Sequence, residues 1–73
     1  MTDLSKRLKE QIEKAYYADH RLFFSLEDFH GDFKDFSDEE LSSALYELRD
    51  IGLLKIQPAD NLVYMAILQE DAI

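Results

Sequence analysis

The chain has 73 residues, of which 47% are hydrophobic and 33% are charged, and its formal net charge is −8. A chain of this length forms one small domain, and its apolar content is too high for a disordered acidic tail. Because the sequence has no cysteine, disulfides, thiolate zinc sites and a cysteine nucleophile are excluded.

The first predicted element is an amphipathic helix from about residue 3 to residue 19. Its apolar residues recur at helical spacing, as expected for a helix that packs one side on a core: Leu4, Leu8, Ile12, Ala15 and Tyr16. Three basic residues at seven-residue spacing and one tyrosine follow the other side, and we call them the basic stripe: Arg7, Lys14, Tyr17 and Arg21. Glu10 and Glu13 dilute this charge, so a solvated face is the favoured interpretation.

A short β-prone run and a short second helix follow the first helix. The run covers residues 21 to 24, and Ser25 has the side chain of a helix cap. The second helix is predicted to start at Leu26 and to stop at Gly31, with Leu26 and Phe29 facing the core.

The third helix is predicted from about residue 38 to residue 51. Ser37 and Glu40 have the spacing of a capping box, and Gly52 supplies the stop. At 100° per residue, five apolar residues fall in one buried arc: Leu41, Ala44, Leu45, Leu48 and Ile51. The opposite side, with one residue at its margin, we call the outward face: Glu39, Ser42, Ser43, Tyr46, Arg49 and Asp50.

The remaining residues predict a β-hairpin. Strands are expected at residues 53–57 and 62–68, joined by a turn with Pro58 at its first central position. The second strand is apolar on both faces, with even-numbered residues on one side and odd-numbered residues on the other. A strand of this kind belongs in the centre of a sheet, so residues 22–24 are predicted to pair with its free edge.

This order of elements resembles the winged-helix (winged helix-turn-helix) superfamily, and the most specific stretch is SDEELSSALYELRDIGLLKI followed by a turn and LVYMAI. The resemblance implies an α+β fold with three helices and a small antiparallel sheet, in the order helix, strand, helix, helix, strand, wing, strand. It would cover residues 1–68 as one domain, followed by a short tail at 69–73. Winged helices include DNA readers, which place the third helix in the major groove, and protein docking modules.

The charge pattern argues against DNA on the third helix. Residues 22–50 hold nine acids and two bases, giving a charge of −7. Phosphates would repel Glu39 and Asp50 on the outward face, and the hairpin adds only Lys55. The outward face is therefore predicted to bind a protein partner, with Tyr46 as an anchor or as a ring that covers a neighbouring segment.

Three functions follow from these observations. The first is a small acidic, non-catalytic module that acts through protein–protein interaction in a regulatory role. The alternatives are a small DNA-binding transcription regulator, with the basic stripe as its nucleic-acid surface, and an acidic mimic of DNA that inhibits a DNA-binding protein. A weak symmetric homodimer is slightly favoured over a monomer.

Other classes of function are not expected. No glycine-rich phosphate loop or nucleophile motif is present, so we predict neither an enzyme nor a cofactor. The carboxylates from Asp28 to Glu39 do not fit a calcium loop, because His30 and Phe33 occupy positions that need an oxygen ligand and glycine. The N-terminus lacks a signal-peptide pattern and no apolar run could span a bilayer, which predicts a cytoplasmic protein without a membrane role.

Overall fold

The computed structural model describes all 73 residues as an α+β domain with three helices and a three-stranded antiparallel sheet. This confirms the predicted class and element order. The elements are α1 (Asp3–Asp19), β1 (Phe23–Phe24), α2 (Glu27–His30), α3 (Asp38–Asp50), β2 (Leu54–Ala59), β3 (Leu62–Leu68) and a 3₁₀ helix (Glu70–Ala72).

The first helix has the predicted bounds, with a cap at each end. At its start, the Thr2 hydroxyl accepts a hydrogen bond from the Ser5 amide over 3.1 Å. At its end, His20 has a left-handed backbone with φ of 56°, and its amide donates to the Tyr16 carbonyl over 2.7 Å. These bonds satisfy helix-end groups that the helix itself leaves unpaired.

The short helix α2 differs from its prediction at both ends. The Ser25 hydroxyl does not cap the helix as an acceptor, because the amide and hydroxyl of Ser25 both donate to the Asp28 carboxylate, over 2.7 and 3.2 Å. Gly31 keeps a right-handed helical backbone with φ of −65°, so the helix does not end in a left-handed glycine. Phe29, which is buried and stacks on Phe24 with ring centres 6.0 Å apart, holds α2 in the core.

Both ends of α3 are closed by the motifs that the sequence predicts. The Ser37 hydroxyl accepts from the Glu40 amide over 3.1 Å, and the Glu40 carboxylate accepts from the Ser37 amide over 3.0 Å. Gly52 has φ of 85°, and the Leu53 amide donates to the Leu48 carbonyl over 3.0 Å. This is a Schellman motif, with buried Leu48 and Leu53 as its apolar pair.

The buried side of α3 matches the prediction except at its last residue. Four of the five predicted core residues are buried: Leu41, Ala44, Leu45 and Leu48. Ile51 is 55% exposed, and its placement in the core was wrong. It is the residue at which the helix ends, and its backbone has left the helical conformation, so the helical angle no longer applies to it.

The sheet has the order β1-β3-β2, so the apolar β3 is central as predicted. Phe23 pairs with Ile67 on one side of β3, and Lys55 pairs with the same residue on the other side. Gln69 extends the pairing, because its amide donates to the Leu53 carbonyl over 2.8 Å. The sheet therefore joins β1 to the hairpin, and α3 packs against β2 and β3.

The turn of the hairpin lies further along the chain than predicted. Pro58 belongs to β2 and pairs with Val63, so its assignment to the turn was wrong. The two turn residues are Asp60 and Asn61, with φ of 52° and 67°. In the type I′ hairpin turn, whose twist matches that of the flanking strands, both central residues have positive φ, and Asp and Asn tolerate it better than most residues.

A β-bulge in β3 changes which residues face the core. Gln57 pairs with Met65 and Pro58 pairs with Val63, so Tyr64 is an extra residue without a partner. Tyr64 is 63% exposed, and the simple alternation predicted for this strand was wrong. The β3 residues in the core are Val63, Ala66 and Leu68.

The residues after β3 return to α1. The Tyr16 hydroxyl donates to the Glu70 carboxylate over 2.9 Å, at the start of the 3₁₀ helix. This hydrogen bond is the main cause that raises the pKa of Tyr16, and desolvation and the charge of Glu70 act in the same direction. None of the helices is both long and apolar enough to cross a membrane.

Candidate interaction surface

The outward face of α3 contains five of the six residues predicted for it. Glu39, Ser43, Arg49 and Asp50 are exposed, and Tyr46 is half-buried. The sixth residue, Ser42, is only 2% exposed and does not belong to the surface.

Ser42 is a structural residue, and its prediction as an outward-facing residue was wrong. Its hydroxyl accepts a hydrogen bond from the Val63 amide over 3.0 Å in a buried setting. Val63 lies beside the bulge at Tyr64, where the regular strand pairing is interrupted. The serine supplies an acceptor for this amide, and a buried amide without a partner would be costly.

Arg49, the only base in α3, is engaged within its own helix. Its guanidinium forms an ion pair with the Asp50 carboxylate over 3.0 Å and lies 4.7 Å from the centre of the Tyr46 ring. Tyr46 also packs against the core with part of its side chain. The remaining charges of the α3 surface are carboxylates without a cation on the same helix.

The basic stripe of α1 is also partly engaged within the molecule. The Arg7 guanidinium lies 4.9 Å from the centre of the Phe33 ring and 5.8 Å from that of Phe36. Lys14 and Tyr17 are exposed, Tyr17 by 69%. Arg7 is therefore exposed but contacts aromatic rings, whereas Lys14 lies free of them.

Arg21, the last member of the stripe, is paired with an acid. It forms a salt bridge with Asp28, and its guanidinium lies 4.8 Å from the centre of the Phe24 ring. Burial acts to raise the pKa of Asp28, but the Ser25 amide and the Arg21 guanidinium outweigh it and hold that pKa below its usual value. Arg21 thus joins α2 to the chain that precedes it.

The carboxylates between α2 and α3 are dispersed rather than gathered into one site. Asp32 accepts from the Gln11 amide group over 3.0 Å, and Asp38 lies 2.7 Å from His30 Nε2. No group of three or more side chains that could hold a metal ion comes together.

A groove that the sequence analysis missed lies between the first turn of α1 and one side of α3. Its volume is about 420 Å³, and we call it the acidic groove. It is lined by Thr2, Leu4, Phe36, Glu39, Glu40, Ser43, Ala44 and Glu47. The spacing of Glu40, Ala44 and Glu47 marks one side of a helix, but the sequence does not say which residues of α1 lie opposite.

Two of the three glutamates in the groove are oriented by the protein. Glu47 accepts from the Thr2 amide over 3.2 Å and from the Ser5 hydroxyl over 3.5 Å. Glu40 belongs to the capping box with Ser37. Glu39 is exposed and makes no hydrogen bond or ion pair to another side chain, and no lysine or arginine lines the groove.

Comparisons with protein-family models, with curated proteins and with solved structures give no match to this chain.

Proposed function

We propose that this chain is a winged-helix domain that acts as a non-catalytic, regulatory protein-interaction module. In this proposal α3 is the third helix of the fold, and β2 and β3 form the wing. The order of elements and the central β3 support the fold assignment. The surface charge of α3 carries the functional assignment, because its one base, Arg49, is paired with Asp50 and lies against Tyr46, and its other charged residues are carboxylates.

A role in DNA reading is less well supported by these contacts. Proteins bind duplex DNA largely through lysine and arginine side chains that neutralise phosphates. The surface of α3 offers no unpaired base, and in the basic stripe only Lys14 lies free of an ion pair or a ring. We expect mixed-sequence duplex to bind no tighter than about 0.1 mM, even at low salt.

An acidic mimic of DNA is a second form of the same protein-interaction proposal. The charge of −7 over residues 22–50 favours it, since a DNA-binding protein presents a basic surface to its target. If the chain mimics DNA, adding it should displace DNA from the partner protein. A partner that is bound in another way should keep any DNA that it binds.

A photo-crosslinking residue at Ser43 tests the proposal. Ser43 is exposed on the outward face, and Asn61, exposed at the hairpin turn, serves as the matched control position. In native extract, we expect a discrete crosslinked protein from position 43 and not from position 61.

Two results would overturn the proposal. One is the same set of crosslinked proteins from both positions, which would show only non-specific capture. The other is sub-micromolar binding of duplex DNA that weakens steeply with added salt, which would promote the transcription-regulator alternative.

A further inference from the structure

We infer that the acidic groove binds a basic, amphipathic segment of a partner protein. Apolar side chains of that segment would lie on the floor of the groove, and its lysine or arginine side chains would face the glutamates. This inference rests on the proposed function and names the chemistry of the partner.

The floor of the groove is apolar and firmly held. Leu4 and Phe36 are half-buried and pack against the core, and Ala44 is 2% exposed. The groove volume of about 420 Å³ lies within the range of about 300–1,000 Å³ that is typical of ligand sites. Such a floor has room for apolar side chains of a bound segment but offers few hydrogen-bonding partners to polar ones.

The rim of the groove selects for positive charge. Glu39, Glu40 and Glu47 line it and no cation does, so a neutral or acidic segment would desolvate these carboxylates without pairing them. The bonds from Thr2 and Ser37 already fix two of the glutamates, which reduces the conformational entropy lost on binding.

A second hollow on the far side of α1 shows no such selection. It is lined by both signs of charge, and its residues are Arg7, Glu10, Gln11, Lys14, Asp32 and Phe33. Gln11 and Asp32 are also bonded to each other across it. Charge of a single sign and an apolar floor occur together only in the acidic groove.

Two synthetic peptides test the inference against the full chain. One is made of leucine and lysine, patterned as an amphipathic helix of a few turns, and the other replaces every lysine with glutamate. In a two-dimensional amide NMR titration, the lysine peptide is expected to shift the signals of Thr2, Leu4, Ser43 and Glu47. The glutamate peptide is expected to shift none of them.

Charge reversal on the rim separates the groove from general attraction to an acidic protein. Glu39→Lys should weaken binding of the lysine peptide by about fivefold, as expected for loss of one exposed charge contact. Glu27→Lys is the matched control, because Glu27 is also exposed and also lies in the first turn of a helix. Equal weakening by both variants would overturn the inference.

A third arm tests the apolar floor. Leu4→Ala should weaken the lysine peptide by several fold, whereas Leu62→Ala, at a half-buried leucine in the hairpin, should not. The amide spectrum of each variant shows whether it is folded. Signal shifts centred on α1 away from the groove, or absence of binding by the lysine peptide, would also overturn the inference.

Failure of this inference differs from failure of the proposed function. Suppose that a protein is crosslinked specifically through position 43 but the lysine peptide does not bind in the groove. The proposal of an interaction module would then stand, and the inference of a basic partner would be wrong. If neither the specific crosslink nor binding of the lysine peptide in the groove is observed, the proposal of an interaction module is itself wrong.

Discussion

The basic stripe on α1 and the acidic groove beside α3 use their charges in opposite ways. On α1, Arg7 lies over the Phe33 and Phe36 rings and Arg21 is paired with Asp28. In the groove, Glu39 faces solvent without an internal partner. Arg7 and Arg21 thus contact other elements of the protein although both are exposed, whereas Glu39 has no such contact. Formal charge along a sequence does not measure the charge that a partner meets.

The acidic groove exists only while α3 is packed on the core. The largest expected loss of stability therefore comes from substituting a residue on the buried side of α3. Leu45 is fully buried, and Leu45→Ala should lower the free energy of unfolding by about 2–5 kcal/mol through lost burial and a cavity. Ile51→Ala, at a site 55% exposed, should change it by less than about 0.5 kcal/mol. Urea denaturation of both variants checks this, and a Leu45→Ala midpoint equal to that of the parent would contradict it.

Two adjacent serines of α3 separate its structural side from its surface side. Ser42→Ala removes the hydroxyl that accepts from the buried Val63 amide and should cost about 1–3 kcal/mol. Ser43→Ala changes an exposed residue and should be neutral or slightly stabilising, because alanine favours helix. Denaturation of the two variants side by side measures the difference. Equal stabilities would mean that the Val63 amide finds water instead.

Local sequence rules accounted for the caps of α3 and failed where α3 contacts the sheet. The capping box and the glycine stop act within a few residues of one another, so Ser37, Glu40 and Gly52 could be assigned from the sequence. Ser42 depends on the bulge at Tyr64, which lies 22 positions further along the chain. Helical angle alone placed Ser42 on the surface, because nothing local indicates a sheet amide that needs an acceptor.

The hairpin and the groove show the same limit. Pro58 favours a turn, but positive φ at Asp60 and Asn61 closes a tighter one, and strand pairing then includes the proline. The candidate site depends even more on distant contacts. Its floor joins Leu4 to Ala44, which come together only when α1 packs on α3.

A smaller effect should distinguish Arg7 from Lys14 within the basic stripe. Arg7→Gln removes a cation from two aromatic rings and should lower stability by about 0.5–1 kcal/mol. Lys14→Gln makes the same change of charge at an exposed residue and should have almost no effect. If both variants lose equal stability in urea, overall charge rather than ring contact determines the result.

The smallest effect concerns Asp28, and it depends on pH. Although burial raises the pKa of Asp28, the Ser25 amide and Arg21 lower it below its ordinary value of 3.8. A carboxyl group whose pKa is lower in the folded state stabilises the fold above its unfolded pKa, and that contribution disappears as pH falls through the folded value. Asp28→Asn should therefore be less stable than the parent at neutral pH, and the difference should shrink in acid below about pH 3.8.

Arg21→Gln supplies the matched control for this pH effect. It removes one of the two partners that lower the pKa of Asp28 but leaves the Ser25 amide in place. The loss of stability in acid should then be smaller than in the parent and should be complete at a higher pH, since the folded pKa of Asp28 moves back toward its unfolded value. Thermal unfolding from neutral pH down to about pH 2 measures both variants. A stability difference between Asp28→Asn and the parent that stays constant over this range would show that Asp28 contributes through packing and not through its charge.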